Sequence, residues 1–199
     1  TNALSYNLAE EYIELDPTIP AFNEEGEVQD RFYRFQGYQV YQLRDAEVST
    51  GDLENPELAR LLFQVDVEDF DENGEPIGQL INYEFDEQLG LSVPVEKVNG
   101  QNTGISHSFR VTTDLFAQGD NQLINFKKYY YLAVAYGYNN FENYSPDPDN
   151  PTGQASPYLV GRSSATGAIL PVVAIPSKPA PRFNGSVVNS SYGDGLPVT

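Results

Sequence analysis

Lys128-Tyr129-Tyr130-Tyr131-Leu132-Ala133-Val134-Ala135-Tyr136-Gly137-Tyr138 is the stretch that decides the fold class. In an extended chain Tyr129, Tyr131, Ala133, Ala135 and Gly137 fall on one side, and Tyr130, Leu132, Val134, Tyr136 and Tyr138 on the other. The run is a strand. Working outward, Arg31 to Leu43 alternates apolar with polar residues in the same way and reads as a second strand. Ala59 to Glu68 places Leu61, Phe63, Val65 and Val67 on one face and stops at Asp69-Phe70-Asp71-Glu72-Asn73-Gly74, a turn cluster with an Asn-Gly step. Ile77 to Phe85 then resumes, so the spacing predicts a β-hairpin between 59–68 and 77–85. Ile105 to Thr112, with Ile105, His107, Phe109 and Val111 on one face, and Tyr158 to Arg162 read as further strands, and Pro56 to Arg60 as a short helical turn.

The flanks differ in texture. Residues 1–27 form an acidic lead-in with Glu10, Glu11, Glu14, Asp16-Pro17 and Glu24-Glu25-Gly26-Glu27, in which Tyr6 to Leu15 suits a short helix or a strand equally. Residues 28–162 hold the strands of an all-β sandwich. Residues 163–199 are punctuated by Pro171, Pro176, Pro179, Pro181 and Pro197 and read as an extended linker or tail, with Ala168 to Ile175 laid along the domain as an edge strand. The chain opens at Thr1 and contains no Met, which suggests a piece of a longer protein.

Composition removes several function classes. Against 11 basic residues stand 29 acidic ones, a net charge of −18, which repels phosphate backbones and anionic lipid, so no nucleic-acid partner is expected. Without cysteine there is no disulfide framework, thiolate nucleophile or zinc ribbon. His107 is the single histidine, so a catalytic triad would have to be built on it. No apolar run approaches the ~20 residues of a spanning helix, so no direct membrane span is expected.

Phe35-Gln36-Gly37-Tyr38-Gln39-Val40-Tyr41, followed by Tyr129 to Asn140, resembles strands C and F of a fibronectin type III domain, in its Gly-Tyr-x-Val-Tyr and Tyr-x-x-x-Val-x-Ala patterns. Asp16 to Pro20, Gly37 to Leu43, Val93 to Gly100, His107 to Thr112 and Tyr192 to Gly195 are similar to a domain of large cell-surface proteins of Bacteroidota exported by the type IX route. The resemblance implies an immunoglobulin or fibronectin type III-like sandwich with an extra hairpin, and an extracellular or outer-membrane-associated location. It departs in having no Trp and only about 30 residues before strand C. Either the first strands precede Thr1 or Leu4 to Leu15 supplies a reduced version.

Candidate chemistry is sparse. Asp69, Asp71, Asn73 and Gly74 spell D-x-D-x-N-G, the first half of a calcium loop, although the twelfth position falls on Leu80, which cannot ligate. The alternative is a solvated acidic turn. Asp147, Asp149 and Asn150 offer similar oxygens interrupted by prolines. His107 reads as a core or cross-strand residue rather than a catalyst. The tyrosines of 129–138 could stack on sugars, but odd and even positions point to opposite faces, so core packing is the expected use. Asn143, Asn184 and Asn189 open glycosylation sequons. The expectation is a non-catalytic structural or interaction module without a resident cofactor, calcium at Asp69, Asp71 and Asn73 aside. Its partners would be neighbouring protein domains or subunits of an extracellular assembly. A carbohydrate- or calcium-dependent adhesion module is the alternative.

Overall fold

A computed structural model describes residues 13–23, 25–71, 73–147, 152–161, 163–164 and 167–177. The first part of the Leu4 to Leu15 segment, Asp149 and Asn150, the sequons at Asn184 and Asn189 and the Tyr192 motif lie outside the described residues. The described fold is all-β, with strands β1 (Ile13–Leu15), β2 (Phe32–Leu43), β3 (Ala59–Asp66), β4 (Gln79–Asp86), β5 (Leu91–Asn99), β6 (Tyr129–Tyr138), β7 (Tyr158–Val160), β8 (Ser163–Ser164), β9 (Gly167–Ala168) and β10 (Val172–Ala174). Among the described residues there is one 3-10 turn, Thr50–Asp52, capped by Ser49 and Asp52.

The two long alternating runs are the spine. β2 and β6 pair antiparallel from Arg34↔Tyr138 to Leu43↔Tyr130. On the outer side of β2 lie β1, at residues 32–34, and β3, from Gly37↔Asp66 to Leu43↔Ala59. On the outer side of β6 lie β7, at 136–138, and β10, at 129–131. The six strands thus form one antiparallel sheet, with β2 and β6 in the middle, the short β1 and the longer β3 sharing one flank, and the short β7 and β10 sharing the other.

Other elements pack on both faces of the sheet's centre. Paired residues share a face, so Leu43, Leu132, Val134, Tyr136 and Ala59 lie together, and all are buried. Against them pack Val48 and Leu53 from the loop after β2, and Leu80 and Val98 from a separate antiparallel β4–β5 hairpin. The hairpin laid on the sheet gives the two layers of a β-sandwich. The opposite face is covered by the irregular segment 100–127, where Ile105 packs on Val65 and Val67 and Phe109 stacks on Phe63 at 4.4 Å.

Two expectations are corrected. The strand 59–68 does not form a hairpin with 77–85: β3 pairs with β2, and β4 pairs with β5, from Gln79↔Asn99 to Asp86↔Leu91. The Asn73-Gly74 turn exists but closes only a small arch, with the Phe70↔Pro76 bridge and Ile77 N–H donating to the Asp69 carbonyl. β4 goes elsewhere because its inward residues Leu80 and Asn82 are buried with Val98 against the sheet. Residues 105–112 form no strand, although Ile105, His107 and Phe109 do turn toward the sheet. The edge strand expected over 168–175 is present in the shorter form of β10.

Tyr129 opens β6 with its ring buried, and its hydroxyl oxygen accepts the Ile124 N–H at 2.8 Å. A tyrosine at a strand start bonding back to backbone a few residues upstream pins the corner by which the chain enters the sheet. Tyr129→Phe leaves that amide without its acceptor and is expected to cost about 1 kcal/mol in urea unfolding.

Candidate functional site

The three calcium candidates are drawn in different directions. Asp71 Oδ1 accepts the amides of Asn73 and Glu75, each at 2.8 Å, so Asp71 and Asn73 are brought together as a turn. Asp69 turns inward, where its carboxylate accepts Gln36 Nε2 at 3.0 and 3.1 Å. Burial raises its pKa, the Gln36 bond opposes this, and the neighbouring charge of Asp66 raises it further. Among the described residues no group of three or more His, Asp or Glu side chains is arranged to hold a metal ion.

A cleft of about 740 Å³ opens between the hairpin and the sheet, lined by Tyr41, Leu53, Glu54, Glu84, Lys97 and Tyr158 among others. Its polar centre is Lys97 on β5, whose ammonium lies 2.5 Å from both Glu54, beyond the 3-10 turn, and Glu84 on β4. The pair ties the hairpin to the loop across the cleft. Burial would lower the Lys97 pKa, but the two carboxylates outweigh it and hold the amine protonated, and a protonated amine is no nucleophile. Burial, reinforced by Glu54 and opposed by Lys97, pushes the Tyr41 phenol up to about 12. Below them Gln39 is fully buried, receiving the Tyr158 hydroxyl at 2.8 Å and donating to the Lys97 carbonyl at 3.0 Å. Lys97 and Tyr41 thus both hold their protons across the neutral range, which suits them to hydrogen bonding.

On the opposite face Asp114 is buried and accepts Gln42 Nε2 at 2.7 Å and Lys127 Nζ at 2.8 Å. Burial raises its carboxyl, but the Lys127 and Gln42 bonds and the Phe116 amide prevail and hold it below its ordinary 3.8. A carboxyl lowered by folding adds stability that is present above its unfolded value and is lost as pH falls through its folded value. Lys127→Met is therefore expected to lower stability at neutral pH and to shrink the loss seen as pH falls through the carboxylate range. Urea midpoints measured across the acid range check this, and an unchanged profile would count against it.

His107, expected as a core or cross-strand residue of a strand, sits exposed in the irregular 100–127 segment with its ring edge-on to Tyr38 at 6.4 Å. The tyrosines of β6 form no platform. Tyr129 and Tyr136 are buried on opposite faces, and the Tyr136 hydroxyl donates to the Val65 carbonyl at 3.2 Å.

Exposed apolar side chains gather around the turn of the β4–β5 hairpin, at Phe85, Leu89 and Leu91, and at one sheet margin. β10 carries Val172 and Val173, with Leu170 and Ile175 beside it, all exposed. Exposed Phe126 adjoins them, its N–H donating to the Pro176 carbonyl at 2.8 Å. Val172 and Val173 project to opposite faces of a strand, so neither face of β10 is covered. The sequence signal for this margin is the absence of any charged residue from Ser163 to Ser177. No protein family, curated protein or solved structure matches the chain.

Proposed function

We propose that the chain is a non-catalytic β-sandwich module of the fibronectin type III-like kind, part of a secreted bacterial cell-surface protein, which holds a neighbouring domain or subunit through the open β10 margin of its sheet. The observation that carries the reading is β10 itself: an edge strand with valines exposed on both faces, in a run from 163 to 177 that holds no charged residue. Proteins protect such edges with charge or cover them, because an open edge pairs with other strands. Pro171 and Pro176 bound the strand and keep the pairing short.

The sandwich type draws support from strand order. Reading across the sheet as β3, β2, β6 and then β10 or β7 gives the C′–C–F–G order of immunoglobulin-like sheets. That order supports reading β2 and β6 as the C and F strands that the resemblance implies. Tyr129 then stands where such domains keep their corner tyrosine.

The test is a photo-cross-linking residue placed at Val173 in the cells that make the protein. The expected result is an adduct with a polypeptide, mapped by mass spectrometry to β10. Absence of any adduct at 173, with a matched probe at Gly51 also silent, overturns the reading. A second reading, a glycan-binding module, rests on the Glu54–Lys97–Glu84 cleft with Tyr41 beside it. A glycan array separates the two: saturable binding lost on Lys97→Met favours the cleft, and a blank array removes it.

A further inference from the structure

We propose that the occupant of the β10 edge is the β1 edge of a second copy of this chain, so that copies join head to tail and one sheet continues across each contact. The proposal rests on the reading of β10 as a docking edge and names what docks there. β1 pairs with residues 32–34 at the start of β2, and β10 pairs with residues 129–131 at the start of β6. Because β2 and β6 run antiparallel, the two short strands lie at diagonally opposite corners of the sheet. Each is outermost, and among the described residues no strand pairs with the outer side of either. Each is a three-residue strand with exposed aliphatic side chains: Ile13 is 65% and Leu15 47% exposed, Val172 65% and Val173 48%.

Charge decides which edges meet. Residues 1–149 contain 28 of the 29 acidic residues and 8 of the 11 basic ones, a net of −20, while residues 150–199 contain one acidic and three basic, a net of +2. β1 carries Glu14 and runs into Asp16, and Arg34, opposite Ile13, is taken up by Asp30. β10 stands in the uncharged run 163–177 and pairs with residues 129–131, which directly follow Lys128. A β1 edge facing a β10 edge brings acidic side chains toward a basic one around apolar centres, which neither like pairing does. The contact is therefore between unlike patches. Such contacts propagate into rings or open chains rather than stopping at a symmetric dimer.

Sedimentation velocity on the purified 199-residue chain tests this with two variants, Ile13→Lys on β1 and Val173→Lys on β10. Both positions are exposed, and matching melting curves establish that each variant folds. Wild type is expected to show species growing past the dimer as concentration rises, and each variant alone is expected to lose them and run as a monomer. An equimolar mixture is expected to form a one-to-one dimer that grows no further, because it retains one intact β1 edge and one intact β10 edge. Continued self-association by Ile13→Lys alone, or a mixture that stays monomeric, overturns the proposal. Wild type that stays monomeric, while a probe at Val173 traps a different protein in producing cells, overturns self-pairing and leaves the docking reading standing. Monomeric wild type together with a silent probe overturns both.

Discussion

Replacing Gly37 by alanine is expected to destabilise the fold by about 3 kcal/mol, a drop in Tm of roughly 6–12 °C for a chain of this size. Gly37 lies in the middle of β2, paired with Asp66 on one side and Tyr136 on the other, next to an irregularity in the β2–β6 register. A Cβ added there would stand 2.1 Å from the Val65 carbonyl oxygen and 2.5 Å from the Tyr136 hydroxyl. These are the two atoms joined by the Tyr136 O–H···O bond, so the glycine leaves the space in which the phenol reaches across β2 to β3. Neither neighbour can step aside. The carbonyl belongs to the β3 backbone, and the Tyr136 ring is fully buried against Leu80, Val98 and Tyr158. Tyr136→Phe in the Gly37→Ala background removes the hydroxyl but leaves the Val65 carbonyl and the ring Cζ, 2.7 Å from the added Cβ, so it should recover only a small part of the loss. Gly51→Ala is the control: a Cβ there meets only Ser49 Oγ, at 3.6 Å, and the midpoint in guanidinium should barely move. Equal effects at 37 and 51 would contradict the packing argument.

The resemblance that singled out Gly37 rested on a short pattern, and that pattern was legible because the central strands are the most regular part of the molecule. β2 and β6 are long, alternate faithfully and pair with each other, so their periodicity carries their placement. The hairpin partner was not legible. β5 is interrupted by Pro94, which lacks a ladder N–H, and by Glu96 and Lys97, so it does not read as the mate of β4. The nearer candidate, 59–68, has the cleaner pattern, but it pairs with β2, and among the described residues no strand pairs with its outer edge. In 105–112 the alternation reported correctly which side chains turn to the sheet and said nothing of whether their backbone joins a ladder. The site divides in the same way. The uncharged run that marks β10 can be read directly, whereas Lys97, Glu54 and Glu84 meet only because the hairpin folds back over a loop 43 residues away in sequence.

Asp66→Ala is expected to release the β4–β5 hairpin by about 2 to 3 kcal/mol while leaving the β2–β6 pair intact. Asp66 ends β3 as an almost fully buried carboxylate, and its oxygens accept the amides of Asn102 at 2.8 Å and Gln101 at 3.3 Å, just past the base of the hairpin. That base is closed by the Gly100 N–H donating to the Gly78 carbonyl at 2.6 Å. A Cβ on Gly100 would come within 2.2 Å of Asp66 Oδ2, so the carboxylate fits only because residue 100 has no side chain. Two strands alone are marginal in water, and the hairpin holds by a few attachments: Leu80 and Val98 on the sheet, Asn82 bonded to both backbone groups of Tyr158, Lys97 to Glu54, and this clamp. Removing Asp66 orphans the part-buried Asn102 amide, and Gly100→Ala attacks the same clamp from the other side. Hydrogen exchange should therefore accelerate across 79–99 in either variant, with β2 and β6 still protected. One further consequence separates a clamp from general damage. The charge of Asp66 helps raise the Asp69 pKa, so Asp66→Asn, which retains most of the shape, should lower the Asp69 titration seen by carboxyl NMR. A carboxyl raised by folding lowers stability as pH rises from its unfolded value of 3.8 through its folded one, so Asp66→Asn should also shrink that loss. Uniform acceleration of exchange over the whole sheet, with Asp69 titrating as before, would show that Asp66 supports the fold at large and not the hairpin.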